Sequence, residues 1–430
     1  MNRHPLQLRR DCLKTGATTA SALLAGGLLS GHLTSAMATP PPPKKLRLLI
    51  LGGTGFIGPW MARKAVARGH QVTLFNRGRR EKFRGAADGT ERLYGNRDPN
   101  LYAHTKFVDG KEVEDQTSPK GLSELEGKQW DAVIDNSGYV PRIVRASAEL
   151  LAPNVGQYLF ISTISVYAGS SKPGADESAT LATIDDPTNE DANRNYGPLK
   201  ALCEQAAEEA MPGRVTILRP GYIVGPGDTT DRFTYWPLRV DRGGEVLVPG
   251  NPDDPVQFID ARDLASFAIH CLESQILGHY NVTGPEERFT NADLMAACQA
   301  ASAAGDGSGK QQPTFTYIPY NWLAANGCPA GKLPILLPAT GSMTGFHQRS
   351  ISKALSKGLT FRPVEETCRD LISWWPEEIE ARTKVAQEVR EQRQANGLAV
   401  PPQVTTETLR TGLSAEDEAK LLAQWHAKGE

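Results

Sequence analysis

Residues 47–58 read RLLILGGTGFIG, and the rest of the chain makes sense around them. Leu48, Leu49, Ile50 and Leu51 are consecutive apolar residues, which predicts a parallel strand buried on both faces. Gly52, Gly53 and Gly55 then turn the chain, and from Phe56 to Arg68 the apolar residues fall at helical spacing. The spacing is Gly52-x-x-Gly55-x-x-Gly58. A strand, a glycine turn and a helix in that order let backbone N–H groups and the positive end of the helix meet a pyrophosphate with no Cβ in the way. Glycine triplets also occur in ordinary turns. Here a second strand follows at 71–77, so the stretch is read as the opening of a dinucleotide site.

Upstream, residues 1–38 read as a leader and not as part of the fold. Arg9-Arg10 precede Asp11-Cys12-Leu13-Lys14, a weakly apolar run rich in Ala, Gly and Leu follows, and Ala36-Met37-Ala38 supplies a small-x-small cleavage pattern. RRDCLK resembles the twin-arginine export motif, which implies a periplasmic or secreted protein cut near Ala38. The competing reading is an uncleaved anchor, but Gly16, Gly26, Gly27, Gly31 and His32 make a poor spanning helix, so no stable membrane insertion is expected. Residues 39–44 form a Pro-rich spacer.

The chain has 430 residues, 40% hydrophobic and 22% charged, with a formal net charge of −2. That is enough for one large core or two modest ones, and the balance gives no reason to expect nucleic acid or an acidic membrane surface as partner. Cys203, Cys271, Cys298, Cys328 and Cys368 show no CxxC pair, so buried thiols are expected rather than a metal site, with one disulfide left open.

Downstream, strand and helix patterns alternate as an α/β fold requires: a Rossmann-type doubly wound parallel sheet over 45–220, with 237–275 returning to it. A smaller C-terminal substrate lobe is expected from 221–236 and 276–375. The second strand ends in Asn76-Arg77, followed by Gly78, Arg79 and Arg80. An NAD-selective site normally carries an acidic residue there for the ribose 2′-hydroxyl, whereas basic residues suit a 2′-phosphate and favour NADP. The plain alternative is a solvated basic loop. Asp98 is placed to touch the adenine end of a dinucleotide. Asn136, Ser137 and Thr163 fall at the carboxyl ends of the strands at 131–135 and 157–163, where ligands of such sheets bind.

An acidic, Pro-containing loop (169–194) precedes Tyr196-Gly-Pro-Leu-Lys200, which opens a helix. A Tyr and a Lys four residues apart share a helix face, so the ammonium is positioned to lower the phenol's pKa from about 10 and make it an acid/base. Tyr102 and Lys106 have the same spacing but lie in a polar insertion (99–129) and are set aside.

GGTGFIG, DNSGY, STISVY, YGPLK, RPGYIVGPGD and QFIDARDLA, in this order, resemble the extended short-chain dehydrogenase/reductase family, the NAD-dependent epimerases and dehydratases. The resemblance implies Tyr196 as catalytic acid/base, Lys200 as holder of the nicotinamide ribose and tuner of Tyr196, and Thr163 as hydrogen-bond partner of the reacting oxygen. Thr163 also reads as a strand-end hydroxyl satisfied by backbone. Gly52, Gly55, Phe56, Ile57 and Gly58 would line the pyrophosphate and Pro220 would approach the nicotinamide. The implied activity is interconversion of an alcohol and a carbonyl on a sugar-like or other small molecule, with NADP or NAD as cofactor, no metal, and a homodimer left open. A cofactor-binding relative without catalysis, regulatory or nucleic-acid-associated, is the alternative.

Nucleotide-sugar epimerases of this family carry an Arg at the position of Val256 to grip a pyrophosphate; His347, Arg349 and Arg362 are the residues left to compensate. Tyr222, Tyr235, Trp236 and Phe258 are candidates for a substrate wall or for ordinary core. Residues 376–430 read as a helical appendage, with helices at 377–394 and 414–428, that wraps the fold or meets a second subunit; a disordered tail is the competing reading.

Overall fold

Leu48 and Ile50 belong to one apolar core and Leu49 and Leu51 to another, so a single strand feeds both faces of a sheet. The computed structural model describes residues 44–78, 87–108, 111–303, 309–400 and 409–428. The leader, its cleavage pattern, almost all of the Pro-rich spacer, Arg79 and Arg80 lie outside the described residues. Residues 44–430 cluster as one compact unit.

In chain order the strands are β1 (Arg47–Leu51), β2 (Gln71–Asn76), β3 (Thr90–Tyr94), β4 (Thr105–Val108), β5 (Lys111–Glu114), β6 (Trp130–Asp135), β7 (Val155–Ile161), β8 (Val215–Pro220), β9 (Tyr222–Val224), β10 (Glu245–Pro249), β11 (Phe258–Asp260), β12 (Gly278–Val282) and β13 (Thr314–Ile318). Seven of them form one parallel sheet in the order β12-β8-β7-β6-β1-β2-β3. The order reverses between β1 and β6, and Leu51 pairs with Phe75 on one side and Asp135 on the other. Three strands therefore end level at the switch point, where an α/β sheet opens a crevice.

The helices are α1 (Gly58–Ala67), α2 (Pro141–Leu151), α3 (Tyr196–Ala210), α4 (Tyr235–Asp241), α5 (Ala261–Glu273), α6 (Asn291–Ala301), α7 (Tyr320–Ala325), α8 (Ser352–Leu355), α9 (Val364–Ala395) and α10 (Ala415–Ala427). Met61 and Ala65 of α1 join Leu264 and Phe267 of α5 on one face of the sheet; Val144 and Ala148 of α2 join Cys203 and Ala207 of α3 on the other. A third core gathers Trp236, Val246, Val248, Leu294, Ile318 and Leu371 around the parallel pair β10–β13.

Three placements differ from the expectation, the first being that Val246 and Val248, expected to return with 237–275 to the main sheet, lie in the third core. Gly278–Val282, expected in the second lobe, is the edge strand β12 of the main sheet, with Tyr280 and Val282 packed into its core. It covers the hydrogen-bonding edge that β8 would otherwise expose. Phe258–Asp260, expected to return to that sheet, pairs instead with β9 in a two-stranded sheet.

The C-terminal segment wraps the fold. No break separates it at residue 376: α9 runs for 32 residues through Pro376, at the cost of the backbone donor that proline lacks. In α10, Ser414 caps the first turn by accepting from Asp417 N–H at 3.0 Å. Leu421 and Leu422 enter the third core, Trp425 meets Trp322 edge-on at 5.0 Å, and the buried Glu418 carboxylate takes Arg239 Nε at 2.5 Å and Leu247 N–H at 3.1 Å. Cys203, Cys271, Cys298, Cys328 and Cys368 are buried thiols, and Cys298 and Cys368 lie with sulfurs 3.7 Å apart between α6 and α9.

Candidate active site

The glycine turn is built for close approach. Gly52 sits at φ +88°, a left-handed conformation that side chains disfavour, and its N–H donates to Phe75 O at 3.0 Å. A Cβ on Gly58 would come within 2.5 Å of Gly52 O, so α1 backs directly onto the turn. At Gly55 a Cβ would meet nothing within 4 Å. That open space belongs to a cavity of about 910 Å³. Gly52, Gly55, Phe56, Ile57 and Gly58 line one wall; Asn76, Arg77, Asp98, Asn136 and Ser137 line others. Ile57 caps α1 without a side-chain hydrogen bond, which leaves the helix's first N–H groups to whatever occupies the cavity.

A nicotinamide dinucleotide fits these features. The empty volume over Gly55 lies against an uncapped helix N-terminus, as a pyrophosphate requires. At the end of β2, Asn76 is buried; its Oδ1 accepts from Thr54 Oγ1 at 3.3 Å, and its Nδ2 has no partner among the described residues. A buried donor of that kind calls for an acceptor. Arg77 follows it on the cavity wall.

Several wall residues hold the frame itself. With its amide nitrogen toward the turn, Asn136 donates to Leu51 O and Gly52 O at 2.8 Å each, and Ser137 Oγ donates to Leu51 O at 3.2 Å. Asp98 lines the cavity, but its carboxylate is gripped by Arg142 at 2.8 and 3.1 Å, which lowers its pKa. Asp98 thus stands on the cavity wall, where the adenine end of a dinucleotide was expected, with its carboxylate paired to Arg142. The same Arg142 reaches Glu190 of the acidic loop at 2.8 Å, tying that loop to the rim.

Sequence reasoning missed Arg97. Its guanidinium takes the Asp135 carboxylate at 2.5 and 2.8 Å and donates to Ser137 Oγ at 2.9 Å; Tyr158 OH donates to the same carboxylate at 2.7 Å. Burial pushes the Asp135 carboxyl up, but Arg97 more than reverses this and holds it below the usual range. The sequence signal was an acidic residue closing an apolar strand with no solvent-facing reason to be there.

Thr163, Tyr196 and Lys200 come together at the ends of β6 and β7. Thr163 accepts from Ser165 N–H at 3.1 Å and caps a single 3₁₀ turn at 164–166. A Cβ on Gly197 would stand 2.2 Å from Ser165 O, so α3 starts hard against that turn and brings Tyr196 beside Thr163. Lys200, one turn on, is buried: its Nζ donates to Gly138 O at 2.8 Å and Ile161 O at 2.7 Å and lies 3.9 Å from the centre of the Phe160 ring. Burial pulls its pKa down to about 8.

The Tyr196 phenol has a raised pKa, where its spacing from Lys200 predicts a lowered one. Tyr196 keeps 38% of its surface exposed, yet enough protein surrounds it that burial pushes the phenol up to about 12. Tyr139 adds to that push; a hydrogen bond with Thr163 and the charge of Arg232 oppose it. The Lys200 ammonium is engaged with two carbonyls and works as a staple between the β6 exit and the end of β7. Tyr139, its ring centre 6.3 Å from that of Tyr196, links the cavity wall to the phenol. Pro220 ends β8, paired with Val282.

Of the aromatic candidates, Tyr235, Trp236 and Phe258 are buried in the third core and are not a substrate wall. Tyr222 remains, half-buried beside Phe346 and His347. The residues meant to compensate for Val256 are engaged. His347 Nδ1 accepts from Gln257 N–H and Nε2 donates to Ile335 O, both at 2.9 Å, and burial pulls its pKa to about 4. Arg349 donates to Gly169 O at 2.6 Å and lies over Tyr167; Arg362 is held by Asp263 and Glu366.

Among known proteins, the profile of the NAD dependent epimerase/dehydratase family matches residues 48–283, more than half of the chain. Over 59% of its length the chain is 28% identical to the chloroplast stem-loop binding protein of 41 kDa b from Arabidopsis thaliana, of which the match spans 63%. Over 52% it is 30% identical to 2-alkyl-3-oxoalkanoate reductase of Stenotrophomonas maltophilia, of which the match spans 64%. The chain thus spans less than two thirds of these two relatives. In fold it is similar to the Bordetella bronchiseptica enzyme WbmG, solved with NAD and UDP: TM-score 0.51 at 15% identity, covering 79% of this chain and 96% of that one.

Proposed function

The chain belongs to the NAD dependent epimerase/dehydratase family, and on that premise we propose that it is an NADP-preferring oxidoreductase that reduces a carbonyl on a small molecule. The observation that carries this reading is the convergence of Tyr196, Thr163 and Lys200 at the strand ends, joined through Tyr139 to the wall of the cavity that begins at the glycine cradle. A nicotinamide dinucleotide held by Gly55, the first turn of α1, Asn76 and Arg77 supplies the hydride. The chain's own part is the proton. A phenol pushed up to about 12 is fully protonated at neutral pH, so Tyr196 stands ready as an acid toward a carbonyl oxygen. Thr163 orients that oxygen, and Lys200 fixes the two strand ends that position it. Arg77 at the cavity wall supports the NADP preference.

Export through the twin-arginine route is part of the proposal; replacing Arg9-Arg10 with Lys-Lys is expected to leave the protein in the cytoplasm with its leader uncut. The function is tested by mixing the purified protein with NADPH or NADH and a broad panel of ketones and aldehydes. NADPH consumption with at least one carbonyl is expected, and none with any would overturn the reading. The alternative of a non-catalytic binder rests on the stem-loop binding relative; tight binding of a nucleic-acid stem-loop without turnover would favour it.

A further inference from the structure

Between β9 and α4 the chain passes through a segment held in an uncommon shape. Asp231 has φ +60°, a left-handed conformation that costs a non-glycine residue free energy. Its fully buried carboxylate is clamped from the C-terminal segment: Arg382 donates at 2.5 and 2.8 Å and Arg410 N–H at 3.0 Å. These contacts hold the backbone turned, and the turn sets down the next residue, Arg232.

Among the described residues, Arg232 has no carboxylate partner of the kind that Arg239 has in Glu418, Arg362 in Asp263 and Arg382 in Asp231. Arg232 donates from Nε to Thr230 Oγ1 at 2.9 Å and places its guanidinium carbon 5.1 Å from the centre of the Tyr222 ring. No carboxylate among the described residues lies within ion-pair distance of it; the nearby Asp228 carboxylate is taken by Thr230 N–H and Oγ1. Ile223, next to Tyr222, and Thr229, next to Thr230, line the cavity that begins at the glycine cradle. The positive charge is felt at Tyr196 as well as at Tyr222, favouring the ionised form of both.

We infer that Arg232 binds a carboxylate of the substrate, so that the molecule reduced is a small oxo acid whose carbonyl meets Tyr196 while its acid group meets the guanidinium over Tyr222. This rests on the oxidoreductase reading above for the identity of the reacting group, but the carboxylate site stands on its own geometry. A guanidinium over an aromatic ring, with its two Nη groups unpartnered among the described residues, can recognise a planar anion by paired hydrogen bonds. A nucleoside diphosphate would need further cations at the pyrophosphate, and Val256 supplies none, His347 and Arg362 are engaged elsewhere, and Arg349 is buried over Tyr167 with its Nε left unpartnered among the described residues.

The test is calorimetric binding to the full chain saturated with NADP⁺, using 3-oxohexanoate, its methyl ester and UDP as probes. The acid is expected to bind at least tenfold more tightly than the ester, and UDP more weakly than the acid. Arg232→Gln should raise the Kd of the acid about tenfold, leave the ester and NADP⁺ unmoved, and be partly rescued by Arg232→Lys. An acid that binds no better than its ester to the wild type, including no binding of either, overturns the inference, as does UDP binding more tightly than the acid. These readings require no turnover and no foldable variant. Preferential acid binding by a protein that reduces no carbonyl would sink the oxidoreductase reading and leave the carboxylate site standing.

Discussion

The glycine cradle and the Tyr196 cluster are held by different means. At the glycine cradle backbone groups of the turn and of the first turn of α1 face the cavity beside Asn76 and Arg77, while Asn136, Ser137, Arg97 and Asp135 bind the frame rather than the space. At the Tyr196 cluster the groups that matter are side chains whose chemistry depends on their packing: a phenol raised by burial and a lysine whose charge is engaged with two carbonyls. A backbone site tolerates wide change in its surroundings. A side-chain site is tuned by each neighbour, so family motifs foretell the first more safely than the second.

The sharpest separation of the two is Tyr196→Phe. It removes the proton and keeps the ring, so turnover should fall about 10²–10⁴-fold with NADPH affinity nearly unchanged; Tyr102→Phe, with the same spacing to Lys106, should be silent in the same assay. An active Tyr196→Phe enzyme would place the chemistry on another residue. The converse variant is Gly55→Val. Its Cβ would meet nothing in the protein within 4 Å, so the melting temperature should hold while dinucleotide affinity drops about a hundredfold or more, because the side chain fills the pyrophosphate's space. Retained affinity by calorimetry would refute the cradle.

Lys200 tests whether the ammonium is structural. Its pKa is about 8 in the fold and 10.5 when free, so the unfolded chain binds more protons between those values and stability should rise with pH across that window. Urea midpoints from pH 7.5 to 10.5 should show a gain on the order of 2–3 kcal/mol that Lys200→Met lacks. Equal slopes in both proteins would mean that the lysine is not held as described. Arg77→Asp should have the smallest effect: a tenfold to hundredfold shift in the ratio of NADP to NAD affinity, since a partly exposed guanidinium–phosphate pair is worth at most a few kcal/mol. Equal binding of the two cofactors by the wild type would remove the premise.

What the amino-acid sequence made legible follows the same division. The strand–turn–helix at 47–67 depends on neighbours in sequence, and it was read with its glycines in place. The Arg97–Asp135 pair joins residues 38 positions apart, and nothing local announces it. Lys200 sits where its spacing from Tyr196 placed it, but the carbonyls it meets come from β7 and the exit of β6, so its role could not be read from α3 alone. The second-lobe assignment of 278–282 failed because strand pattern reveals extended structure but not which edge it joins. Tyr235, Trp236 and Phe258 were ambiguous for a simpler reason: a large aromatic serves a core and a wall equally well until its neighbours are known.

The position of α10 has a consequence for how the protein is made. Strands β1 to β12 and helices α1 to α5, with everything that shapes the glycine cradle, precede residue 283, whereas the core around Trp236 lacks Leu421 and Leu422 until the chain beyond residue 420 has emerged from the ribosome. Asp231 likewise waits for Arg382 and Arg410 before its loop is clamped. The growing chain therefore carries the whole glycine cradle before it carries the segments that complete the core around Trp236 and the clamp on Asp231.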